Sequence, residues 1–181
     1  MTVQRKESPQ SMLSKELITK ALLELMQEKP YKQINISELT KRADLSRRTF
    51  YRHFTTIDEV LDYLLLDGVG KFTEFYLNKH PQNLQSSMLT FFTYWETHKP
   101  FLLLLKKNGL LFLLLEKFLP EAHQKLAEKM SVTKDCVNYE YVLCFCTGGI
   151  WNLLVSWLNE GATASPAEMS NIADDILSGI K

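Results

Sequence analysis

Residues 37–54 read SELTKRADLSRRTFYRHF, and this stretch decides the fold. Ser37 and Ser46 each stand directly before a short helical pattern, where a serine hydroxyl can cap the first turn. Asp44 lies between the two patterns, and aspartate tolerates the left-handed backbone of a sharp turn better than most residues. The stretch therefore predicts two short helices joined by a tight turn, which is the helix-turn-helix arrangement.

The second of these helices is predicted to have two different faces. Phe50 and Phe54 are four residues apart, so they share one face and are expected to pack inward. Within residues 41–53 five basic residues accompany the single carboxylate of Asp44, although the whole chain is formally neutral. A cationic surface about 10 Å wide favours contact with the major groove of DNA, and an ordinary solvated face is the alternative. The outward positions are Arg47, Arg48, Thr49, Tyr51 and Arg52.

The rest of the chain also predicts helices, and no stretch shows the alternation typical of strands. The fold class is therefore all-α with about nine helices. A helix-turn-helix head is expected over residues 1–55, and a separate helical body over residues 56–181. The predicted helices cover residues 14–28, 38–43, 47–54, a long segment after Thr56, 84–98, 101–107, 110–130, 137–159 and 166–180.

Composition limits the classes of protein. Hydrophobic residues make up 45% of the 181 residues, which is enough for a core. The most apolar stretch, 101–119, is interrupted by lysine and glycine, so no membrane span is expected. Three cysteines without framework spacing indicate a reducing, cytoplasmic setting. No catalytic set, metal-ligand spacing or cofactor fingerprint is found, so neither an enzyme nor a cofactor is predicted.

The run INISELTKRADLSRRTFYRHFTTIDEVL, residues 34–61, resembles the DNA-binding head of the TetR family of bacterial transcriptional regulators. The resemblance covers about residues 12–62 and is strongest in the run TFYRHF at 49–54. The body is similar to a C-terminal region found in low-GC Gram-positive regulators, through Gly148-Gly149 and the SPAE run at 165–168.

The resemblance implies particular DNA contacts. Ser37, Tyr51 and His53 would touch phosphates. Arg47, Arg48 and Thr49 would face base edges. For Tyr51, covering the edge of the core is the alternative, and for His53 half-buried packing is equally compatible with the sequence.

Two positions depart from the family pattern. Asp44 stands where the family often has glycine. Ile57 stands where it often has a lysine that reaches a phosphate from the fourth helix. Losing that contact predicts weaker non-specific DNA binding and a salt slope shallower by up to about one unit.

A single helix-turn-helix reads only a few base pairs, whereas two copies on a twofold axis read a palindromic operator. The helix over 137–159 is apolar nearly all round and contains Gly148-Gly149, which suits close approach of another helix. We therefore predict a homodimer formed through the last two helices. The predicted interface residues are Gly149, Ile150, Leu153, Trp157, Ile172 and Ile176.

The resemblance also implies a pocket for a small apolar or amphipathic ligand in the body. An aromatic stripe at helical spacing is more often plain core than a binding site, and that alternative stays open. The predicted function is a repressor of transcription released by a small ligand. A coactivator or adaptor working through protein contacts is the second hypothesis. The predicted pocket residues are Phe91, Trp95, Phe112, Leu115, Phe118, Tyr141 and Phe145.

Overall fold

A computed structural model describes residues 8–130 and 138–179 of the chain. The all-α prediction is confirmed, since the described residues form nine α-helices, one 3₁₀ turn and no strand. The predicted helix ends at 137 and 180 lie outside the described residues. The elements are α1 (Pro9–Glu28), the 3₁₀ turn (Tyr31–Gln33), α2 (Ile36–Arg42), α3 (Arg47–His53), α4 (Ile57–Lys79), α5 (Leu84–Thr97), α6 (Lys99–Lys107), α7 (Leu111–Met130), α8 (Tyr139–Asn159) and α9 (Pro166–Ser178).

The chain forms two compact units that divide between Asp67 and Gly68, within α4. The first unit is called the head and the second the body. The sequence places the domain boundary before α4, at residues 55–56. The assignment of separate functions to the two domains stays a prediction.

The head is built around side chains that carry no exposed surface. Ile18 and Leu22 of α1, Leu39 of α2 and Phe50 of α3 are fully buried. Phe54 packs against Phe50, with ring centroids 6.1 Å apart. Burying each such side chain contributes about 1.5–3 kcal/mol, so three short helices suffice to fix the orientation of α3.

The turn between α2 and α3 has the conformation that the sequence predicts at Asp44, with φ of 53° in the left-handed region. The cap of α2 differs from the prediction. Asn35, not Ser37, accepts a hydrogen bond from the backbone N–H of Glu38 at 3.1 Å, and the Glu38 carboxylate accepts one from the Asn35 backbone. This reciprocal capping box begins the helix at Ile36, so the Ser37 side chain is not needed as a cap.

Two ion pairs join α2 to the region of α1. The Arg42 guanidinium donates to the Glu28 carboxylate at 2.8 Å, and the hydrogen bond lowers the pKa of Glu28. The Lys29 ammonium donates to the Glu38 carboxylate and lowers the pKa of Glu38. Both glutamates are solvent-accessible, so each ion pair contributes little free energy and mainly fixes the orientation of α2.

The start of α4 is also tied to the head. The Tyr31 hydroxyl donates to the Asp58 carboxylate. Burial, and then that hydrogen bond to a neighbouring anion, raise the pKa of Tyr31. The Thr56 hydroxyl accepts from the backbone N–H of Glu59 at 3.1 Å, so it caps the first turn of this helix.

The body has an aromatic core. Phe72 of α4 stacks on Trp95 of α5, with centroids 6.1 Å apart and ring planes within 7° of parallel. The Ser170 hydroxyl of α9 donates to the backbone carbonyl of Gln85 in α5 at 2.9 Å, where the two helices pack together. One described helix, α8, is long and apolar enough to cross a membrane by length and composition, but eight of its residues are buried in the body, as in a core helix.

Candidate nucleic-acid interface

Helix α3 buries one face and exposes the other. Ser46 caps it by accepting from the backbone N–H of Thr49 at 3.0 Å, as the sequence predicts. Phe50 is fully buried on the inner face, while Tyr51 on the outer face is 58% exposed. Arg48 and Arg52 are exposed and form no ion pair among the described residues. Their guanidinium groups are available to a partner outside the chain.

Ser37 and Arg47 lie together across the two short helices. The Arg47 guanidinium donates a hydrogen bond to the Ser37 hydroxyl. Both groups are exposed, and both are predicted DNA contacts. A guanidinium beside a hydroxyl offers several donors to one phosphate oxygen or base edge.

Two predicted contact residues are less open than the sequence suggests. Thr49 is half-buried as a residue, and its hydroxyl lies 2.9 Å from the Ser46 hydroxyl that caps α3. His53 is also half-buried, and its Nδ1 lies 3.5 Å from the Ser11 hydroxyl. Their contacts with DNA stay predictions. To contact DNA, each side chain would have to exchange its local hydrogen bond for one to DNA or use the part of the side chain that is solvent-accessible.

The cationic surface is smaller than the sequence count implies. Arg42 forms ion pairs with α1: its guanidinium donates to the Glu28 carboxylate at 2.8 Å and lies 3.5 Å from the Glu24 carboxylate. These carboxylates raise the pKa of the Arg42 guanidinium, the hydrogen bond to Glu28 being the largest cause. The charge of Arg42 is thus largely balanced inside the head, and the outer face depends on Arg47, Arg48 and Arg52.

The structure adds a basic residue that sequence spacing does not reveal. A polar recess at the start of α1 is lined by Lys15 together with Arg52 and His53 of α3. Ser8 caps α1 at the same place by accepting from the backbone N–H of Ser11 at 3.3 Å. The residues of this recess are about 40 positions apart in sequence, so only the packing of α1 against α3 brings them together.

A cavity of about 60 Å³ lies in the body between α4, α5, α7 and α8. Its walls are mainly apolar and include Phe72, Phe91, Leu115, Phe118 and Trp151. Lys125 is the only charged residue among the described residues that line it.

The last two helices carry exposed apolar side chains. On α8, Tyr141 is 78% exposed and Phe145 is 68% exposed, and Gly149 follows at the next position of the same stripe. On α9, Ile172 and Ile176 are about half exposed. A Cβ atom added at Gly149 would meet nothing within 4 Å, so this position is open toward the outside of the protomer.

Two family models cover most of the chain. The model for bacterial regulatory proteins of the tetR family matches residues 18–64. The model for a transcriptional regulator C-terminal region matches residues 82–179, more than half of the chain. The chain belongs to the TetR family of transcriptional regulators. The resemblance seen in residues 12–62 is confirmed.

Relatives agree with this membership. This chain is 35% identical over 54 residues to the HTH-type dhaKLM operon transcriptional activator DhaS of Lactococcus lactis, and the match takes in 30% of this chain and 29% of that protein. A tetR-family regulator from Streptomyces coelicolor has the same fold, with a TM-score of 0.65 at 17% identity, over 92% of this chain and 83% of that one.

Two further solved structures share the fold over nearly the whole chain. The fatty acid degradation regulator FadR from Bacillus halodurans superposes with a TM-score of 0.66 at 14% identity, over 96% of each chain. The dihydroxyacetone kinase operon activator DhaS superposes with a TM-score of 0.61 at 19% identity, over 93% of this chain and 96% of that one. The fold and the membership of the TetR family both point to a regulator of transcription and not to an enzyme.

The predicted pocket residues separate into three groups. Phe91, Leu115 and Phe118 line the cavity. Trp95 is buried in the core behind it, packed between aromatic rings. The remaining three do not line this cavity, because their helices turn them outward: Phe112 is 63% exposed, and Tyr141 and Phe145 lie on the exposed stripe of α8. Helical spacing alone does not tell the inner from the outer stripe of a helix that is apolar all round.

The predicted interface residues also divide. Gly149, Ile172 and Ile176 are exposed, and Leu153 is half-buried. Ile150 and Trp157 do not lie on this face. Ile150 lines the cavity, and Trp157 is buried with its indole N–H donating to the Ala164 carbonyl at 2.8 Å. The exposed stripe that the sequence missed consists of Tyr141 and Phe145, two of the aromatic residues assigned to the pocket.

Proposed function

We propose that this TetR-family protein is a cytoplasmic, homodimeric, sequence-specific DNA-binding regulator whose α3 enters the major groove. The observation that carries the proposal is the geometry of α3. Phe50 and Phe54 anchor its inner face in the head, and Arg48, Tyr51 and Arg52 stand free on its outer face. A rigid helix with an exposed cationic face about 10 Å wide fits the groove.

Selection of bound fragments from random double-stranded DNA by the purified chain tests this proposal. We expect a palindromic consensus, because a twofold dimer presents two copies of α3. Arg48→Ala should weaken binding to that consensus by about 1–3 kcal/mol and relax specificity at one base pair per half-site. Arg42→Lys is the matched control, since Arg42 pairs with α1 and should leave base preference unchanged.

The homodimer is proposed to form through α8 and α9. The exposed stripe of Tyr141, Phe145 and Gly149 and the exposed pair Ile172 and Ile176 support this surface. Large apolar side chains left open on the last two helices are typical of an interface between subunits.

The sequence favours a repressor released by a small apolar or amphipathic ligand, and the cavity in the body supports such a ligand. Three residues of α4, Phe72, Thr73 and Tyr76, line this cavity, and α4 is one continuous helix from Ile57 to Lys79. A ligand that displaces these side chains would therefore act on a helix that begins in the head. Loss of operator binding on ligand addition is the expected response.

A coactivator or adaptor is the second candidate. Two observations favour it: Ile57 replaces the phosphate-binding lysine of the family, and the matched relative DhaS is described as a transcriptional activator. An adaptor would bind the selected DNA weakly or not at all. A repressor and an activator are separated by reporter transcription from the selected operator with and without the protein.

A further inference from the structure

The cavity in the body has one feature that specifies ligand chemistry. Its described walls are hydrocarbon and aromatic, apart from a few hydroxyl groups and the side chain of Lys125. The Lys125 Nζ lies 5.9 Å from the ring centroid of Tyr76, which also lines the cavity. A cation partly withdrawn from water beside an apolar space is best balanced by an anionic group.

Of the four hydroxyl groups on the described residues that line the cavity, those of Tyr76, Ser87 and Thr147 have little to offer an anion, and that of Thr73 is a neutral donor. The Ser87 hydroxyl donates to the Asn83 carbonyl at 2.8 Å, so in its 2.9 Å contact with Tyr76 the phenol is the donor. The Thr147 hydroxyl donates to the Leu143 carbonyl at 2.7 Å. These three hydrogens are used within the protein, so Lys125 is the one cationic donor among the described residues that line the cavity, beside the neutral hydroxyl of Thr73.

The size of the cavity restricts the apolar part of the ligand. A volume of about 60 Å³ is less than half of the roughly 150 Å³ cavity that accepts benzene in an engineered protein. A ring would force the aromatic walls apart, whereas an alkyl chain has a smaller cross-section and can follow a narrow space.

We propose that this cavity binds a straight-chain aliphatic monocarboxylate, with the carboxylate paired to Lys125 and the chain among Phe72, Phe91 and Phe118. This inference names the class of ligand for the ligand-released regulator proposed above. Binding of the carboxylate does not depend on that proposed function, whereas an effect of the carboxylate on DNA binding does.

Isothermal titration calorimetry on the full chain tests the site with butyrate, hexanoate and octanoate. The uncharged 1-hexanol and the ring-bearing benzoate serve as comparisons. We expect hexanoate or octanoate to bind at least tenfold more tightly than 1-hexanol and than benzoate. Equal affinity for hexanoate and 1-hexanol, or tighter binding of benzoate, would overturn the proposal.

Variants at Lys125 decide whether the head group pairs there. Lys125→Met should reduce hexanoate affinity to that of 1-hexanol, while Lys106→Met, at an exposed lysine of α6 outside the cavity, should change nothing. Lys125→Glu should reverse the preference, so that hexylammonium binds and hexanoate does not. Unchanged hexanoate affinity in a folded Lys125 variant contradicts the pairing. Thermal unfolding of each variant establishes that it is folded.

The same protein is then tested on its selected DNA. DNA binding without carboxylate binding contradicts this inference and leaves the DNA-binding function standing. Carboxylate binding by a chain that selects no DNA supports the site and contradicts the proposed function.

Discussion

The guanidinium group of Arg47, at the first position of α3, donates a hydrogen bond to the hydroxyl of Ser37 in α2. Ten residues of sequence separate the two side chains, and the left-handed turn at Asp44 brings them together. The contact connects the two helices of the motif on its exposed side, opposite the buried Phe50. This contact holds the Arg47 guanidinium on the exposed side of the motif, where a base edge could replace Ser37 as its partner.

Alanine substitutions at Asn35 and Ser37 should separate capping from DNA contact. Asn35→Ala removes the side-chain acceptor of the α2 capping box and should lower the free energy of unfolding by about 1 kcal/mol. Ser37→Ala should leave stability nearly unchanged, because this hydroxyl is exposed, and should weaken DNA binding. Urea denaturation and operator titration of both variants measure the two effects. A larger loss of stability at Ser37 than at Asn35 would restore serine as the cap.

Local signals in the sequence were sufficient for the head. The cap at Ser46, the turn at Asp44 and the inward pair Phe50 and Phe54 depend on residues close in sequence, and the structure has all of them. The cap of α2 was predicted two residues too late, because both Asn35 and Ser37 are good capping residues and only the Glu38 contact selects between them.

The body was less predictable for a physical reason. Helix α8 is apolar on every side, so its periodicity does not say which stripe packs inward. The structure exposes Phe145, which the sequence predicts for the pocket, and buries Trp157, which it predicts for the interface. Their positions depend on the packing of α7 and α9 against α8, which involves residues distant in sequence.

Restoring a lysine at position 57 should strengthen DNA binding. Ile57 is half-buried at the first position of α4, where a lysine stem can pack and its ammonium group can reach outward. Ile57→Lys should raise affinity at low salt and steepen the plot of log K against log salt by about one unit. Ile57→Met is the uncharged control. An unchanged slope in the lysine variant would show that position 57 lies away from the phosphates.

A charge on the exposed stripe of α8 should dissociate the dimer without unfolding the protomer. Phe145→Asp places a carboxylate at a position that is 68% exposed in the protomer. The substitution should therefore weaken the association of two protomers and leave the stability of each protomer nearly unchanged. Leu154→Ala is the contrasting variant, because Leu154 is fully buried and its truncation should cost about 2–5 kcal/mol of stability. Sedimentation velocity and thermal unfolding of both variants distinguish the two effects. A dimeric Phe145→Asp protein would place the interface elsewhere.

Acid should weaken the attachment of α2 in the head. The pKa values of Glu28 and Glu38 are lowered by their hydrogen bonds to Arg42 and Lys29. A carboxyl group whose pKa is lower in the folded state stabilises the fold above its unfolded pKa of about 4.5 and loses that contribution as pH falls through the folded pKa. The free energy of unfolding should therefore decrease below about pH 4.5.

The double variant Glu28→Gln, Glu38→Gln tests this origin, with the exposed Glu16→Gln as the control. Urea titrations followed by circular dichroism at pH 6 and at pH 3.5 give the difference in stability. The difference should be smaller in the double variant than in the native chain and unchanged in the control. The same acid sensitivity in all three proteins would assign it to other carboxylates.

Glycine at position 44 should stabilise the head, since Asp44 has a φ of 53° and a side chain in the left-handed region carries a steric cost. Asp44→Gly removes that cost and should raise the free energy of unfolding by up to about 1 kcal/mol. Part of this gain is offset, because glycine gives the unfolded chain more conformational entropy to lose on folding. Asp44→Val should lower it by about 1–2 kcal/mol, because a β-branched side chain is least tolerated there. Urea denaturation of the three proteins measures this order, glycine above aspartate above valine. A valine variant as stable as the native chain would mean that the turn relaxes to a different conformation, and the Arg47–Ser37 contact should then be lost with it.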